Sequence, residues 1–306
     1  VQALLGLSAF VVILTGQVSF GQQGFYAIGA YAAGIATVVW GWPLLPGLIL
    51  GTLLAALAGV VVGIPVLRVR GLYLAVATFA FGEIVRNLIL NFQYSREVDG
   101  QVVGPLGPEG FRGIRYFYDR GLDPPAVLGI LGGTLLLVLA TLWLLDRSRL
   151  GRTLRAIGVD EHPAAMVGVN VVAMKVLAFS LGGAVAGLAG GLYAHYTTFL
   201  DDGTFRFQVG VIAVAYALIG GTASVVGPLL GVAFFTTLTE GFRFLEEYRL
   251  FAYGTFIVVA LLVRPFGLVD QALLGRLTRG LRRLRLRRGP PAEAPEELES
   301  VGDAHP

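Results

Sequence analysis

Apolar residues in this chain come in long runs rather than in the stripes of a half-buried strand or a surface helix. Runs suited to crossing a membrane as helices lie at about 2–15, 24–42, 46–67, 71–92, 125–146, 175–199, 208–224, 227–245 and 250–264. A spanning helix needs roughly 17–25 residues of this kind. The first run is short and Val1 already stands inside it, which leaves open a short helix or an upstream segment; no signal peptide with a basic leader is visible. The pattern predicts an all-α, polytopic transmembrane bundle of about eight or nine spans.

Two polar stretches interrupt it. Thr15–Gly24 reads TGQVSFGQQG, inside a region with no charge from Val1 to Leu67, and Ile219–Pro228 reads IGGTASVVGP. Backbone that leaves the helix at membrane depth must be buried in protein or line an aqueous cavity, and glycine-interrupted spans point to the pathway of a transporter. In one reading the two breaks are broken or re-entrant segments that approach each other, with Gln17, Ser19, Gln22, Gln23, Thr222 and Ser224 as pathway candidates. In the other they are surface loops whose Gly and Ser serve as turn residues.

Charges within spans are few. Glu83 with Arg86, and Glu240 with Arg243, stand i,i+3 and can pair on one helix face. An ionisable group in the membrane is a functional candidate, for proton coupling for instance; the alternative is a self-neutralised pair near a helix end. That alternative is favoured for Glu240 and Arg243 and left open for Glu83 and Arg86.

Arginine placement orients the chain. Arg68 and Arg70, then Arg147, Arg149, Arg152, Arg155 and Lys175, then Arg276 to Arg288 all fall on one side when spans are counted, and the positive-inside rule makes that side cytoplasmic. Segment 93–124 and Asp201-Asp202 then face outward, with Trp40 and Trp42 at the outer interface and Trp143 at the inner one. The membrane-spanning body covers 1–270. The tail 271–306 begins with Leu273, Leu274, Leu277, Leu281 and Leu284 between arginines, either an amphipathic helix on anionic lipid or a plain basic anchor. It ends in a Pro- and Glu-rich stretch expected to be disordered.

Composition narrows the function. Of 306 residues, 55% are hydrophobic and 14% charged, with a mean hydropathy of +0.74; soluble domains carry about 25% charged residues. Cysteine is absent and histidines number three, which removes thiolate metal sites and disulfides. Lys175 is the sole lysine and follows no glycine loop, so the chain has no P-loop. ATP, if used, is bound by another subunit.

Loop 147–175 is the most informative. Its RLGRTLRAIGVDEHPAAMVGVNVVAMK is basic, then acidic, and Asp160-Glu161-His162-Pro163 is a helix start, with acids at the positive end and Pro at the first position. A short helix from about Pro163 to Val167 is predicted to expose Ala164, Ala165 and Met166 as a docking knob; the bland reading is a loop helix packed on the protein itself. His162 is expected at the surface.

The set GQVSFGQQGFYAIGAYAAG, RGLYLAVATFAFGEIVRN, LGRTLRAIGVDEHPAAMVGVN, LAFSLGGAVAGLAGGLYA and ALIGGTASVVGPLLG, in order from about Gly16 to Gly267, resembles the LivH/LivM permease family of branched-chain amino-acid ABC importers, specifically the LivM type. The resemblance implies a non-enzymatic subunit of a prokaryotic inner membrane, C-terminus cytoplasmic, that binds no cofactor. It implies as partners a LivH-like second permease, two cytoplasmic ABC ATPases that hydrolyse the ATP, an extracytoplasmic amino-acid-binding protein and membrane lipid, with no nucleic acid. It further implies an ATPase-coupling role for Arg152, Arg155, Asp160, Glu161, Pro163, Ala164, Ala165 and Gly168. The chain departs from the family pattern at Ser95–Gln101, at Ala223 in GGTAS, at Gly158 after RAI and at the VDEH that follows. The altered outer loop keeps urea and short amides open as substrates beside Leu, Ile and Val. An ATPase-independent secondary transporter, with Glu83 carrying a proton, is the other class.

Overall fold

A computed structural model describes residues 1–69, 71–98, 101–241 and 254–255. The expected span 250–264, the pairing of Glu240 with Arg243 and the tail 271–306 lie outside the described residues. Eleven helices are described: α1 (Gln2–Ile13), α2 (Gln22–Gly34), α3 (Leu44–Val66), α4 (Leu72–Asn91), α5 (Tyr116–Asp119), α6 (Pro124–Arg147), α7 (Arg149–Val159), α8 (Glu161–Met166), α9 (Val171–Thr197), α10 (Phe207–Gly220) and α11 (Gly227–Gly241). Helix α2 continues as a π-helical turn over Ile35–Val39. Among the described residues five stretches are long and apolar enough to cross a membrane: Leu44–Val66, Leu72–Asn91, Pro124–Arg147, Val171–Thr197 and Gly203–Gly220.

Small residues decide which faces meet. In α3, Gly47, Gly51, Ala55, Gly59 and Gly63 recur every fourth residue and are all buried, while Leu45, Leu53, Leu57 and Val61 on the other faces are exposed. Every-fourth small residues bring helix backbones close, which is how helices associate where lipid is as apolar as leucine. The stripe packs on α9, whose Gly183 and Gly187 lie against Ala55 and Gly51. Helix α2 closes a three-helix centre with α3 and α9: a methyl on Gly29 would strike the backbone of Gly187, and one on Gly190 the backbone of Tyr26. Helix α6 is sparsely covered, with only Val138 and Leu142 buried along its length.

Helical alternation puts two ends on the bundle. The arginine-rich end carries α7 and α8. The opposite end carries Trp40 and Trp42, whose rings sit 5.3 Å apart, and a feature the all-α expectation lacks. Here β1 (Arg96–Val98), β2 (Gln101–Pro105) and β3 (Phe111–Arg112) form an antiparallel sheet in sequence order, with Arg96 opposite Val103 and Gly104 opposite Arg112. Phe111 joins it to the bundle, exchanging backbone hydrogen bonds of 2.8 and 3.1 Å with Leu200 and packing its ring 5.5 Å from Tyr31.

Candidate functional site

The first polar stretch is an extended segment between two helices. Thr15 ends α1 by donating its hydroxyl to the Val12 carbonyl at 2.7 Å, and Gly16 turns the chain with φ +73°, a conformation glycine adopts without strain. Residues then alternate: Thr15, Gln17 and Ser19 are buried while Gly16 and Val18 are exposed. The Phe20 amide donates to Thr78 Oγ1 of α4 at 3.1 Å, and the Gly21 amide to Ser19 Oγ at 3.2 Å.

The glutamines reach the middle of the bundle. Gln22 and Gln23 are 0% exposed and Gln17 is 6% exposed. Gln22 Oε1 lies 3.2 Å from Ser8 Oγ, but Gln22 Nε2, Gln17 Oε1 and both polar atoms of Gln23 have no hydrogen-bond partner. Among the described residues these are the buried side-chain polar atoms left unsatisfied, and all four belong to one segment. Each such atom costs about 1–3 kcal/mol, so their gathering in one place asks for a reason beyond packing. The Gln23 amide fits because Gly82, half-way along α4, and Gly210 of α10 have no side chains: a methyl on either would collide with it. Beside it, Phe207 stacks edge-on against Phe20 at 5.7 Å and Phe79 at 4.6 Å.

The second stretch joins α10 to α11. Gly221 leaves α10 with φ +96°, and the turn closes through Gly227 N to Ser224 O at 2.9 Å and Val226 N to Ser224 Oγ at 3.3 Å. Thr222 and Ser224 are half-buried. Among the described residues no hydrogen bond joins the two stretches; α1 packs directly on α10 and α11, and α7 touches both stretches. Gly158 of α7 abuts the Leu14 carbonyl and Gly16. Arg155, one turn earlier, donates through Nη1 to Thr222 O at 3.0 Å, through Nη2 to Ala223 O at 3.4 Å, and through Nε to Asp146 Oδ1 at 2.6 Å.

Helix α8 begins earlier than predicted. Asp160 caps it by accepting from the His162 amide at 2.9 Å, so the helix runs from Glu161 and Pro163 falls at its third position, where its missing N–H is still one of the unpaired four. Ala164 is buried, against the expectation that it is exposed, whereas Ala165 is exposed and Met166 is 86% exposed. Glu161 pairs with Lys175, a lysine only 3% exposed, which ties α8 to α9. Arg152 is exposed and donates to the Arg147 carbonyl at 2.8 Å. Gly168, exposed with φ +85°, ends the knob.

The profile of the branched-chain amino acid transport system / permease component family matches residues 1–263. The chain belongs to this family. It is 34% identical over 290 residues to the high-affinity branched-chain amino acid transport system permease protein LivM of Salmonella typhimurium, and equally to that of Escherichia coli, covering 87% of this chain and 67% of each relative. It is also 30% identical over 198 residues to the ribose import permease protein RbsC of Bacillus subtilis, covering 61% of this chain and 58% of that one. No solved structure gives a significant match.

Other candidates of this permease-family chain sit apart from the two breaks. Arg86 Nε donates to Glu83 Oε2 at 2.9 Å, the expected i,i+3 pair, with both side chains about a quarter exposed. A cavity of about 680 Å3 is walled by Tyr26, Tyr193, Tyr196 and Tyr216 among mostly apolar side chains, and neither break lines it. Sequence reasoning missed Asp146, Gly82 and Gly210, and singled out Gly158 as a departure from the family pattern without its contact. The glycines were visible only as glycines; their meaning lies in what approaches them from elsewhere in the chain.

Proposed function

We propose that this chain is the membrane-spanning permease subunit of an ABC importer for branched-chain amino acids, working with a LivH-like second permease. Two cytoplasmic ATPases drive it and an extracytoplasmic binding protein delivers the solute. The observation that carries the reading is 34% identity to LivM over 87% of the chain. The permease body, residues 1–270 with eight or nine spans, sits in a prokaryotic inner membrane with α7, α8 and the C-terminus in the cytoplasm, and the loop 93–124 with its sheet faces outward.

In this reading Gln17, Ser19, Gln22 and Gln23 lie along the path, with Thr222 and Ser224 near its cytoplasmic end. The unsatisfied amides support it: a zwitterion crossing a bilayer needs polar groups to replace water, and a closed pathway leaves those groups without partners. Phe20, Phe79 and Phe207 supply the apolar wall that a branched side chain prefers. Met166 and Ala165 on α8 form the surface an ATPase grips. The chain itself binds no cofactor.

The test is to purify the tagged chain gently from its native membrane, identify what accompanies it by mass spectrometry, and assay leucine uptake by the assembly in vesicles. Two ATPases, a second permease and ATP-dependent uptake are expected. A lone chain that moves solute without ATP would overturn the reading.

A further inference from the structure

Three features of α7 point the same way and none is needed for docking a partner. First, Arg155 turns toward the permease body: each of its three guanidinium nitrogens donates one hydrogen bond, to Asp146 at the end of α6 and to two successive carbonyls, Thr222 and Ala223, just past the end of α10. Second, those carbonyls stand in the turn between α10 and α11 and belong to neither helix, so a cation placed there supplies hydrogen bonds that no helix ladder gives them. Third, Gly158, one turn along the same helix, touches the carbonyl end of α1 at Leu14 and Gly16. One short helix therefore bears on the ends of both irregular segments at once.

We infer that α7 is a brace set across the two pathway breaks, and that Arg155 is the positioning residue that fixes the second break to it. The inference rests on the importer reading and deepens it. A pull on α8 moves α7, and α7 shifts both breaks together instead of one alone. The planar guanidinium spans a carboxylate and two carbonyls in a single geometry, and a lysine ammonium cannot match that fork. Helix α8 is meanwhile held to α9 by the pair of Glu161 with Lys175, so the brace has a fixed pivot at one end and a hydrogen-bonded contact at the other.

Two readouts on the assembled complex in lipid nanodiscs test this. The first is ATP hydrolysed per leucine imported, measured in matched proteoliposomes. For R155Q that ratio is expected to rise by at least about tenfold, the scale of losing hydrogen bonds to a charged group, with D146N showing a smaller rise. A wild-type ratio in R155Q overturns the brace. The second readout uses the absence of cysteine: the sole thiol of A223C is labelled with a maleimide. Labelling is expected to quicken by about tenfold when R155Q is added, because the backbone of the second break loses its anchor; equal rates overturn the role of Arg155. Should R155Q fail to assemble, R155K keeps the charge and loses the fork, and it must fall between wild type and loss in both readouts. R155K matching wild type in both overturns the proposal. Wild-type uptake without ATP overturns the importer reading and the coupling role with it, while the labelling contrast reports the anchor separately.

Discussion

At Gln23 the packing is set by what two other residues lack. Gly82 would place a methyl only against the Gln23 side chain, whereas Gly210 would place one against both that side chain and the Phe20 carbonyl. The two glycines therefore answer differently to the same change. G82A is expected to lose about 1–3 kcal/mol through overpacking, and Q23A added to it should restore most of the melting temperature. G210A should stay destabilised with Q23A present, because a backbone carbonyl cannot be trimmed. Thermal melts of the four variants in detergent check this; equal rescue of both glycines would show that Gln23 is not wedged between them. Three glutamines within an uncharged apolar region were conspicuous in the sequence, since an amide there needs a reason. Their burial and their glycine slot were not, because Gly82 and Gly210 stand far along the chain among many glycines of ordinary appearance.

At the scale of elements, α8 shows how far a cap signal carries. Asp160, Glu161 and Pro163 announced a short helix, and a helix is there, starting two residues earlier; Ala165 and Met166 are exposed as expected, and Ala164 alone is turned inside. The difference separates two variants that look alike in the sequence. A164R is expected to lower both the yield of folded protein and uptake, since it forces a charge into a packed face. A165R should leave the yield within about twofold, as surface changes usually do, and abolish ATP-dependent uptake by spoiling the docking face. Comparable uptake by A165R and wild type would remove α8 from the coupling route. The sheet in loop 93–124 was harder to read. Its strands are two to five residues long and mix Val102 and Val103 with glycine and charge, too little period for a pattern to register. The contact of α7 with both breaks left no trace in local sequence: the resemblance gave Arg155 an ATPase-coupling role, and the carbonyls it actually holds, Thr222 and Ala223, stand 67 and 68 residues further along.

For the whole molecule, glycine has two meanings that lipid keeps apart. On α9, Gly187 faces Ala55 and the Gly51 carbonyl; on α6, Gly132 has nothing near it. G187L should abolish folded, monodisperse protein, and G132L should change its melting temperature little, within the roughly 0.5 kcal/mol of an ordinary surface substitution. A loss with G132L equal to that with G187L would mean α6 is covered as α9 is. The spans themselves were legible because lipid imposes a length, and their packing faces were partly legible where small residues recur every fourth position, as in α3. Which helix each stripe meets depended on partners remote in the chain. That remoteness has a consequence in time. Thr37 of the α2 extension meets His195 of α9 across 158 residues of sequence, and at about 5–20 residues per second of synthesis the ribosome needs on the order of ten seconds or more to supply the second partner. Until then α2 and α3 wait in the bilayer with their glycine faces bare and the buried amides of the first segment uncovered. The interval of bare glycine faces thus falls midway through the chain's own translation: α9 closes the faces of α2 and α3, and α10, with Gly210 against Gln23, closes the amides after it.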